Sequence, residues 1–569
     1  MDKATPVSAA DTAKAASHYL RGTLPEELAQ DEPAFSTPAI GVLKFHGIYQ
    51  QDDRDLRKAG VKQVTAMVRV GVPGGVLTSD QYLALDRLAD MGEGSLRITT
   101  RQDIQYHYVP KVRLRELIRT LNENWLSTLA ACGDVVRNVV SCPAPFDNEQ
   151  RRDLFPYVSF ISKSLKPKTN SYYEIWIDGE KTISAEDPEG EVEPLYGRTY
   201  LPRKFKINFA FPGDNTTDLY ANDIGIVPHY EEGEITGFTI LAGGGMGQSA
   251  GVKASHPRLA DPICSIGPSR EELLSVCEAI VSIHRDFGNR INRKLARLKY
   301  VLDAWGVDKF KQELEQRVGY PLNPPRTLTW NRVEDYLGWH RQGVDAAGNP
   351  IWFLGVRVLS GRVKDFDAER RVRTGLRTVV ERYRPGVRLT AQQNLYLSGI
   401  ADADRPVIAS LLAAHGVVSE PQTLPPILRY AMACPALPTC GQALTESERI
   451  MPQVVAEIQA ELNEAGLGDE VIHLRTTGCP NGCARPYTAE IGIVGASVDL
   501  YTIYLGASRM GTRLGSAFAT NVKRNQIVGR LRPVFAHYRE ARLSDETFGD
   551  FCHRLGMDAL RELSQMAAA

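Results

Sequence analysis

Four of the chain's nine cysteines lie in two short loops that are marked by glycine and proline. "ACPALPTC" contains Cys434 and Cys440, and "TGCPNGC" contains Cys479 and Cys483. Four thiolates drawn from two loops can hold a zinc ion or an iron–sulfur cluster. The C-x2-C and C-x4-C spacings favoured by structural zinc sites are absent, as is the C-x-x-C-H of a c-type haem. The pattern favours a 4Fe–4S cluster and leaves zinc open as the alternative.

Buried structural thiols are the competing explanation for these cysteines. Cysteine is often buried, and Cys277 lies among apolar residues at helical spacing, as a core cysteine does. The four loop cysteines differ because glycine and proline stand beside them, and we predict that they bind metal. No partner spacing marks the remaining thiols, among them Cys132, Cys142, Cys264 and Cys552.

A second group suited to chemistry consists of basic side chains in strand-like segments. Segments of the "VRV", "RIT" and "VVRNVV" type are usually buried, and a buried cation is costly unless an anion compensates it. For any single residue, a solvated strand face is the alternative. Together the residues predict a cavity for a small oxyanion or a polyanion. They are Arg69, Arg97, Arg101, Arg137, Arg203, Lys204 and Lys206.

Alternating strand and helix patterns position these residues. Residues 61–109 predict a strand, a Pro-Gly-Gly turn, an amphipathic helix and further strands. Residues 352–400 repeat that order, with "RLTAQQ" in the place of "RITTRQ". We interpret this as two copies of one strand–helix–strand module, and we predict an α+β class with mixed sheets.

Proline clusters at 321–326 and 419–426 predict domain boundaries. The predicted units are an N-terminal arm over 1–60, the module pair over 61–130 and 326–420, a segment over 131–325 and a C-terminal unit over 421–569. The 131–325 segment contains the strand-like runs "YYEIWIDGE" and "KFKINFAFPG". A helix is predicted to begin after Ser269, which has Glu272 three positions later, and a second one to run from Phe287 to Leu302.

Composition excludes several classes of protein. Sixty-seven basic and sixty-eight acidic residues leave a net charge of -1, so no overall field favours nucleic acid or an anionic membrane. No apolar run approaches the length of a membrane span, and the N-terminus lacks the apolar core of a secretory signal. The expected compartment is therefore the cytoplasm, where cysteines are rarely paired in disulfides.

Several motifs resemble those of the sirohaem and iron–sulfur sulfite and nitrite reductases. The closest likeness is to the hemoprotein subunits of assimilatory sulfite reductases, and it extends from about residue 15 to beyond residue 555. The motifs that carry it are "FHGIYQQDDRD", "RITTRQ", "VVRNVV", "YLPRKFK", "AGGGMG", "ACPALPTC" and "TGCPNGC".

The resemblance implies a 4Fe–4S cluster on the four loop cysteines, with Cys483 also serving as the axial thiolate of one sirohaem. It implies that Arg69, Arg137, Lys204 and Lys206 bind sulfite, stabilise charge as S–O bonds break and relay protons. Further residues match positions beside the sirohaem, namely Arg97, Arg101, His107, Arg203, Gln393 and Asn481.

The resemblance also implies a fold of three domains, in which two related halves embrace the sirohaem. The 131–325 segment becomes a sirohaem and substrate domain, the C-terminal unit the cluster domain, and the arm a partner contact. The chain departs from some relatives at Gly71, where they carry a second arginine, around His107, and before Arg137.

The implied reaction is the six-electron reduction of sulfite to sulfide in assimilatory sulfur metabolism and cysteine biosynthesis. The only glycine-dense loop, "AGGGMGQSAG", opens no clear helix, so a nicotinamide or flavin module is not expected and the electrons must come from another protein. We favour an NADPH-oxidising flavoprotein subunit. The alternatives are a ferredoxin-dependent sulfite or nitrite reductase and, more remotely, a non-enzymatic iron–sulfur or zinc protein that binds an anionic partner.

Overall fold

A computed structural model describes residues 8–147, 154–168, 175–177, 180–183 and 193–566. In these ranges several mixed sheets are covered by helices, which confirms the predicted α+β class. No helix in them is both long and apolar enough to cross a membrane. Apart from residues 175–177 and 180, the predicted strand "YYEIWIDGE" lies outside the described residues.

The strands follow one another along the chain from the N-terminal segment to the C-terminal unit. They are β1 Ile48–Asp52, β2 Val64–Val70, β3 Val76–Leu77, β4 Leu96–Ile98, β5 Ile104–Val109, β6 Ile175–Ile177, β7 Glu180–Ile183, β8 Ile207–Phe209, β9 Gly213–Asp214, β10 Ile224–Glu231, β11 Glu234–Ala242, β12 Asp261–Ile266, β13 Trp330–Arg332, β14 Gly338–Val344, β15 Pro350–Val356, β16 Arg362–Val363, β17 Gly386–Leu389, β18 Leu395–Ala401, β19 Met432–Ala433, β20 Leu474–Thr477, β21 Ile491–Ser497, β22 Leu500–Leu505 and β23 Ser516–Lys523.

The α-helices are interspersed with these strands. They are α1 Ala9–Ala15, α2 Leu24–Leu28, α3 Thr37–Leu43, α4 Arg54–Lys58, α5 Ser79–Leu88, α6 Leu114–Glu123, α7 Leu154–Ser164, α8 Arg270–Phe287, α9 Leu298–Val318, α10 Val372–Tyr383, α11 Arg405–Ala413, α12 Pro426–Arg429, α13 Met451–Glu464, α14 Ile527–Ala541, α15 Phe548–Leu555 and α16 Met557–Met566.

The predicted duplication is visible in two five-stranded sheets that exchange strands. One sheet has the order β1-β2-β5-β4-β16, and the other has the order β14-β15-β18-β17-β3. The short strand after each tight turn joins the sheet of the other copy. Strand β3 of the first copy pairs with β17, and β16 of the second copy pairs with β4. The two copies are therefore interlocked around a pseudo-twofold axis.

Matching hydrogen bonds support the residue-by-residue alignment of the two copies. In the first copy, Thr99 N–H donates to the Asp103 carbonyl (2.9 Å), and Asp103 N–H donates to the Thr99 hydroxyl (3.1 Å). In the second copy, Thr390 and Asn394 make the same two bonds at 2.9 Å and 3.0 Å. Asp103 and Asn394 thus occupy equivalent positions.

A second duplication relates the 131–325 segment to the C-terminal unit. In one sheet β8 is parallel to β10, which continues antiparallel to β11 and β12. In the other, β20 is parallel to β21, which continues antiparallel to β22 and β23. "DIGIV" (223–227) and "EIGIV" (490–494) begin the equivalent strands. Sequence analysis identified the first duplication but not this one.

Helix predictions in the 131–325 segment had mixed outcomes. The Ser269 hydroxyl accepts from Glu272 N–H (3.2 Å), which confirms the start of α8. The second helix was predicted wrongly. Gly288 ends α8 in an extended conformation, and α9 begins only at Leu298. The apolar spacing from Phe287 onward therefore crosses a break between two helices.

The N-terminal segment is packed onto the rest of the chain. Strand β1 pairs antiparallel with β2 at the edge of the first sheet. The Lys14 ammonium is buried, donates to the Leu201 carbonyl (2.8 Å) and lies 3.4 Å from the Asp134 carboxylate. The role of this segment as a partner contact stays a prediction.

A buried ion-pair network joins the two duplicated pairs near their common centre. The Asp218 carboxylate accepts from Arg475 and Arg485, each at 2.5 Å. Arg485 also donates to the carbonyls of Thr100 (3.1 Å) and Ala391 (2.9 Å), which occupy equivalent positions in the two modules. Burial alone would raise the pKa of Asp218, but the two guanidinium groups hold it below the ordinary value.

We expect Asp218→Asn to lower the free energy of unfolding by about 3–5 kcal/mol, because it leaves two buried guanidinium groups without a counter-ion. Asparagine tolerates the left-handed backbone at this position (φ 52°), so the substitution tests the charge alone. Chemical denaturation measures the effect. The control is Arg532→Ala, which removes an exposed partner of Glu461 and should change stability little. Equal losses in both variants would contradict a central role for Asp218.

Candidate functional site

The four loop cysteines leave neighbouring strand ends in the C-terminal sheet. Cys434 directly follows β19, while Cys479 and Cys483 lie in the loop after β20. Strands β19 and β20 are parallel, so both loops emerge from the same edge. Cys440 closes the first loop, where its N–H donates to the Ala436 carbonyl (2.9 Å). Two loops that are distant in sequence thus bring four thiols to one end of the sheet.

Charges of neighbouring loop thiols raise the pKa of Cys434, Cys440 and Cys479, which requires the loop thiols to share one neighbourhood. Burial raises the pKa of Cys434 most, followed by the charges of Cys483, Cys440 and Cys479. Burial and the charges of Cys483 and Cys440 raise the pKa of Cys479 to about 12. In the described ranges, no three His, Cys, Asp or Glu side chains stand close enough to ligate one metal ion. Metal binding would reverse the pKa shifts, because thiolates are the ligands.

Polar hydrogens are directed at two of the sulfur atoms. Gly478 N–H donates to Cys434 Sγ (3.3 Å), and the Asn481 amide donates to Cys479 Sγ (3.5 Å). A Cβ on Gly478 would stand 2.6 Å from both Ala436 and the Thr445 carbonyl. Glycine is thus required here because the two cysteine loops pack against each other, and its N–H group supports a thiolate.

Lys204, Lys206 and Arg137 are brought together by two adjacent backbone segments. Arg137 N–H donates to the Phe205 carbonyl (2.9 Å), and Phe205 N–H donates to the Val135 carbonyl (3.1 Å). The pairing places both lysines, which flank Phe205, beside the Arg137 segment. The Arg137 guanidinium donates to two backbone carbonyls of the preceding turn, at 2.8 Å and 3.3 Å.

Arg69 enters the same region from β2. Gln105 lies opposite it in β5, and with the Gln105 amide turned so that its oxygen faces Arg69, this oxygen accepts from the guanidinium at 3.1 Å and 2.6 Å. Burial alone would lower the pKa of Arg69, but the negative charges of Cys132, Asp103, Tyr49 and Cys483 raise it. We refer to Arg69, Arg137, Lys204 and Lys206 as the cationic cluster.

The ammonium groups of Lys204 and Lys206 have no fixed partner in the described part of the chain. Each of the two side chains is partly accessible. Burial lowers the pKa of Lys204 to about 7, and neighbouring cations add to the effect. Burial, Lys204 and Arg101 hold the pKa of Lys206 well below its usual value. A bound anion would raise both values and restore the charges.

Cys483 stands between the thiols and the cationic cluster. Its thiol is exposed, in contrast to the buried Cys434 and Cys479. Its charge raises the pKa of the other three loop cysteines on one side. On the other side it favours the charged forms of Arg69, Lys204 and Lys206. A group held by Cys483 would therefore face both sets of residues.

The residues predicted to lie beside a sirohaem come from both modules and from neighbouring segments. Arg97 and Gln393 both donate to the Ala433 carbonyl, at 2.8 Å and 2.9 Å. Arg101 donates to the Asn222 side chain (2.9 Å), and burial lowers its pKa to about 9. Arg203 lies near Asp134, Arg293 and Arg137, and burial together with the neighbouring arginines lowers its pKa.

Buried polar atoms without partners test whether a large polar cofactor fits. Such atoms are the exception in proteins and require an explanation. In the described part of the chain they include both ring nitrogens of His107, Arg101 Nε, Gln393 Oε1 and the Thr476 and Thr477 hydroxyls. Burial and nearby arginines hold the pKa of His107 well below its usual value, so the ring is neutral. The donors in this set, which are Arg101 Nε, the two threonine hydroxyls and one nitrogen of His107, fit a cofactor rich in carboxylates, whereas Gln393 Oε1 can only accept.

Sequence reasoning missed three charged residues of this region, the carboxylates Asp223 and Asp103 and the arginine Arg485. Asp223 is buried, accepts from Lys206 N–H (2.9 Å) and pairs with Arg297 (2.7 Å). Arg485 joins the two modules, as described above. Asp103 lies beside the cationic cluster with both carboxylate oxygens unpartnered among the described residues. The "DIGIV" and "EIGIV" repeat was an available signal for Asp223, whereas nothing local marks Arg485 or Asp103.

Two protein-family models match the chain. The model described as the nitrite and sulphite reductase 4Fe-4S domain matches residues 159–322. The nitrite/sulfite reductase ferredoxin-like half domain matches residues 60–124 and 346–415. The second match covers both copies of the predicted module and confirms the duplication. The first match includes Lys204 and Lys206 but none of the four loop cysteines.

Curated relatives match nearly the whole chain. A sulfite reductase (ferredoxin) of Synechococcus elongatus is 42% identical over 98% of this chain and 91% of its own length. A sulfite reductase (NADPH) hemoprotein beta-component of Myxococcus xanthus is 43% identical over 97% of both chains. The corresponding protein of Shewanella piezotolerans is 42% identical over 96% of both.

A solved structure of the Mycobacterium tuberculosis NirA protein has the same fold, with a TM-score of 0.77 and 98% coverage of both chains at 22% identity. The predicted fold is thereby confirmed over the whole length. The motifs, the ferredoxin-like halves and the relatives that are 42–43% identical over nearly the whole chain lead to one conclusion. The chain is an oxidoreductase that belongs to the nitrite and sulphite reductase family.

Proposed function

We propose that this protein reduces sulfite to sulfide in a six-electron reaction of assimilatory sulfur metabolism, which supplies cysteine biosynthesis. One observation carries the proposal: Cys483 shares its surroundings with three further loop thiols on one side and with Arg69, Lys204 and Lys206 on the other. Electron delivery and oxyanion binding would therefore meet at one residue.

The cofactors are those of the family, one 4Fe–4S cluster and one sirohaem. Cys434, Cys440, Cys479 and Cys483 would hold the cluster, and Cys483 would also hold the sirohaem. When bound, the pair supplies electrons one at a time to the anion. His107, Gln393 and Arg101 have buried polar atoms without a partner in the described part of the chain and would line the sirohaem, and the Asn481 amide, which donates to Cys479 Sγ, would lie beside the cluster.

The cationic cluster would bind and orient sulfite. Arg69 and Arg137 are held by the Gln105 amide and by backbone carbonyls, so their guanidinium groups are fixed before the anion arrives. Lys204 and Lys206 have no protein acceptor in the described residues and remain available to the anion and to departing oxygen atoms. Preorganised cations of this kind stabilise charge that develops in the transition state.

The lysines would also hold and move protons. Each oxygen lost as water requires two protons, and a side chain transfers protons best when its pKa lies near the working pH. Without an anion the pKa of Lys204 is about 7, and a bound anion raises it, so the ammonium is charged when sulfite binds and can donate a proton to a departing oxygen. The charge of Cys483 helps to keep it protonated.

We further propose that the electron donor is an NADPH-dependent flavoprotein partner, that the N-terminal segment over 1–60 contributes to the partner contact and that the protein works in the cytoplasm. Several relatives are named NADPH hemoprotein beta-components. A ferredoxin-dependent relative of similar identity supports ferredoxin as the second candidate. The sequence lacks a dinucleotide motif of its own.

Turnover assays test both proposals. The purified holoprotein should consume sulfite and form sulfide with reduced viologen dye, and its visible spectrum should contain sirohaem bands. Sulfite-dependent NADPH oxidation with a flavoprotein subunit, compared with turnover on reduced ferredoxin, identifies the donor. A higher specificity constant for nitrite than for sulfite would overturn the proposed substrate. A preparation with iron but without sirohaem bands would overturn the proposed reaction.

A further inference from the structure

A carboxyl group lies behind the cationic cluster, and neither set of cofactor or anion contacts described above uses it. We propose that Asp103 takes up a proton when an oxyanion binds to the cationic cluster, so that anion binding and protonation are coupled. The inference rests on the proposed function only for the identity of the anion, which is sulfite.

Asp103 is placed beside three arginines by the start of β5. The side chain is 1% exposed. Its electrostatic partners are Arg69 from β2, Arg101 from its own turn and Arg137 from the segment beside Lys204. The Asn138 amide, next to Arg137, donates to the Arg101 carbonyl (2.9 Å) and so joins two of these segments. Two of the three arginines belong to the cationic cluster.

No fixed ion pair engages the carboxyl group. Only the Val72 N–H approaches the carboxylate among the described residues; neither oxygen makes a hydrogen bond of standard geometry, and no cation lies within ion-pair distance. The three guanidinium groups donate elsewhere: Arg69 to Gln105 (2.6 Å), Arg101 to Asn222 (2.9 Å) and Arg137 to Gly133 (2.8 Å). By contrast, the nearby Asp223 is a structural counter-ion, since it pairs with Arg297 at 2.7 Å.

The second module shows what the fold alone requires at this position. Asn394, the equivalent of Asp103, accepts from Arg357 (2.8 Å) and from Val358 N–H (3.0 Å) and donates to Asp335 (2.8 Å). A neutral, fully bonded amide therefore satisfies the same turn. The carboxyl group of Asp103 is not needed to build it.

Gly71 leaves room next to this carboxyl group. It occupies the place that Arg357 has in the second module, where the arginine bonds to Asn394. A Cβ on Gly71 would have no neighbour closer than 3.7 Å. The first module therefore lacks the local arginine, and the charge of Asp103 depends on the arginines that also serve the anion.

Electrostatics couples the two negative groups. Burial raises the pKa of Asp103 to about 6, while Arg69, Arg101 and Arg137 oppose this rise and Val72 N–H favours the ionised form. At neutral pH the carboxylate is thus ionised without an anion. An oxyanion between Arg69 and Arg137 repels the carboxylate and raises its pKa further. One proton from solvent then forms an O–H bond on the carboxyl group, and no electron moves.

Proton uptake on sulfite binding tests the proposal directly. Isothermal titration calorimetry of the oxidised holoprotein at pH 7 is performed in two buffers that differ in ionisation enthalpy. Sulfite, Lys204 and Lys206 also exchange protons, so the informative quantity is the difference between the parent and Asp103→Asn. We expect the parent to take up more protons, by close to one per sulfite.

The affinity for sulfite is a second test, and here the variant should exceed the parent protein. Asparagine resembles the protonated form, so Asp103→Asn should bind sulfite more tightly than the parent at pH 8, by about tenfold for each unit by which the anion raises the pKa. The gain should vanish below pH 6. Loss of structure cannot produce tighter binding. Asp103→Glu, which keeps the charge, should retain the parent's pH dependence.

The outcomes separate this inference from the proposed function. Equal proton uptake in the parent and Asp103→Asn, or weaker sulfite binding by the variant at pH 8, would refute the coupling while sulfite reduction stands. If Asp103→Asn does not fold, the proton uptake of the parent protein is measured alone. The coupling is then refuted if protonation of sulfite, Lys204 and Lys206 accounts for all of that uptake. Failure of the parent to turn over sulfite would instead contradict the proposed reaction.

Discussion

Cys483→Ser should abolish sulfite reduction while the fold is retained. Replacement of groups that merely support metal ligands costs about 10–100-fold in activity or affinity, so loss of the ligand itself should cost more than about 100-fold. The thiol is exposed and lies outside the apolar core, so its removal should leave the fold unchanged. The reason for the large effect is its position between three thiols and the cationic cluster.

Optical and magnetic spectra of Cys483→Ser distinguish the loss of the ligand shared by the two cofactors from unfolding of the protein. Magnetic coupling between the two iron centres should disappear, and the circular dichroism of the backbone should not change. Cys552→Ala is the matched control, because this thiol is buried in the C-terminal core, away from the site. An unchanged coupled spectrum in Cys483→Ser would contradict the bridging role.

Lys206→Ala should lower kcat/KM for sulfite by about 10²- to 10³-fold, the range found when one preorganised donor to a developing charge is removed. The ammonium has no protein acceptor in the described residues, and its low pKa shows how strongly burial and neighbouring cations disfavour its charge without an anion. Removing it therefore affects the anion rather than the fold. Steady-state kinetics with sulfite measures the change.

The visible spectrum of Lys206→Ala should keep its sirohaem bands, because Lys206 is not among the proposed ligands of either cofactor. Lys294→Ala, at an exposed position on the 131–325 segment, is the control and should behave as the parent. Lys206→Arg should recover part of the lost activity, since it restores a cation. Parent-like kinetics in Lys206→Ala would remove the residue from the substrate site.

Predictions that rested on local sequence patterns succeeded more often than those that rested on periodicity alone. The cysteine loops, the Pro-Gly-Gly turn and the "RITTRQ" and "RLTAQQ" pair are local patterns, and such patterns encode turns, caps and strand ends directly. The helix predicted from Phe287 failed because apolar spacing continued across Gly288, while an extended glycine ended the helix. Periodicity alone does not detect such a break.

The sequence by itself determined the α+β class and the duplicated module, and it singled out the four loop cysteines that the structure places at one sheet edge. Only the tertiary structure decided that Cys483 stands beside Lys204 and Lys206, that the 131–325 segment repeats the C-terminal unit, and that Asp103 has no fixed partner. The physical reason is that hydrogen-bonded turns and side-chain periodicity depend on neighbours in the chain. The charge and pKa of a buried group depend on whichever residues the packing of distant segments places around it.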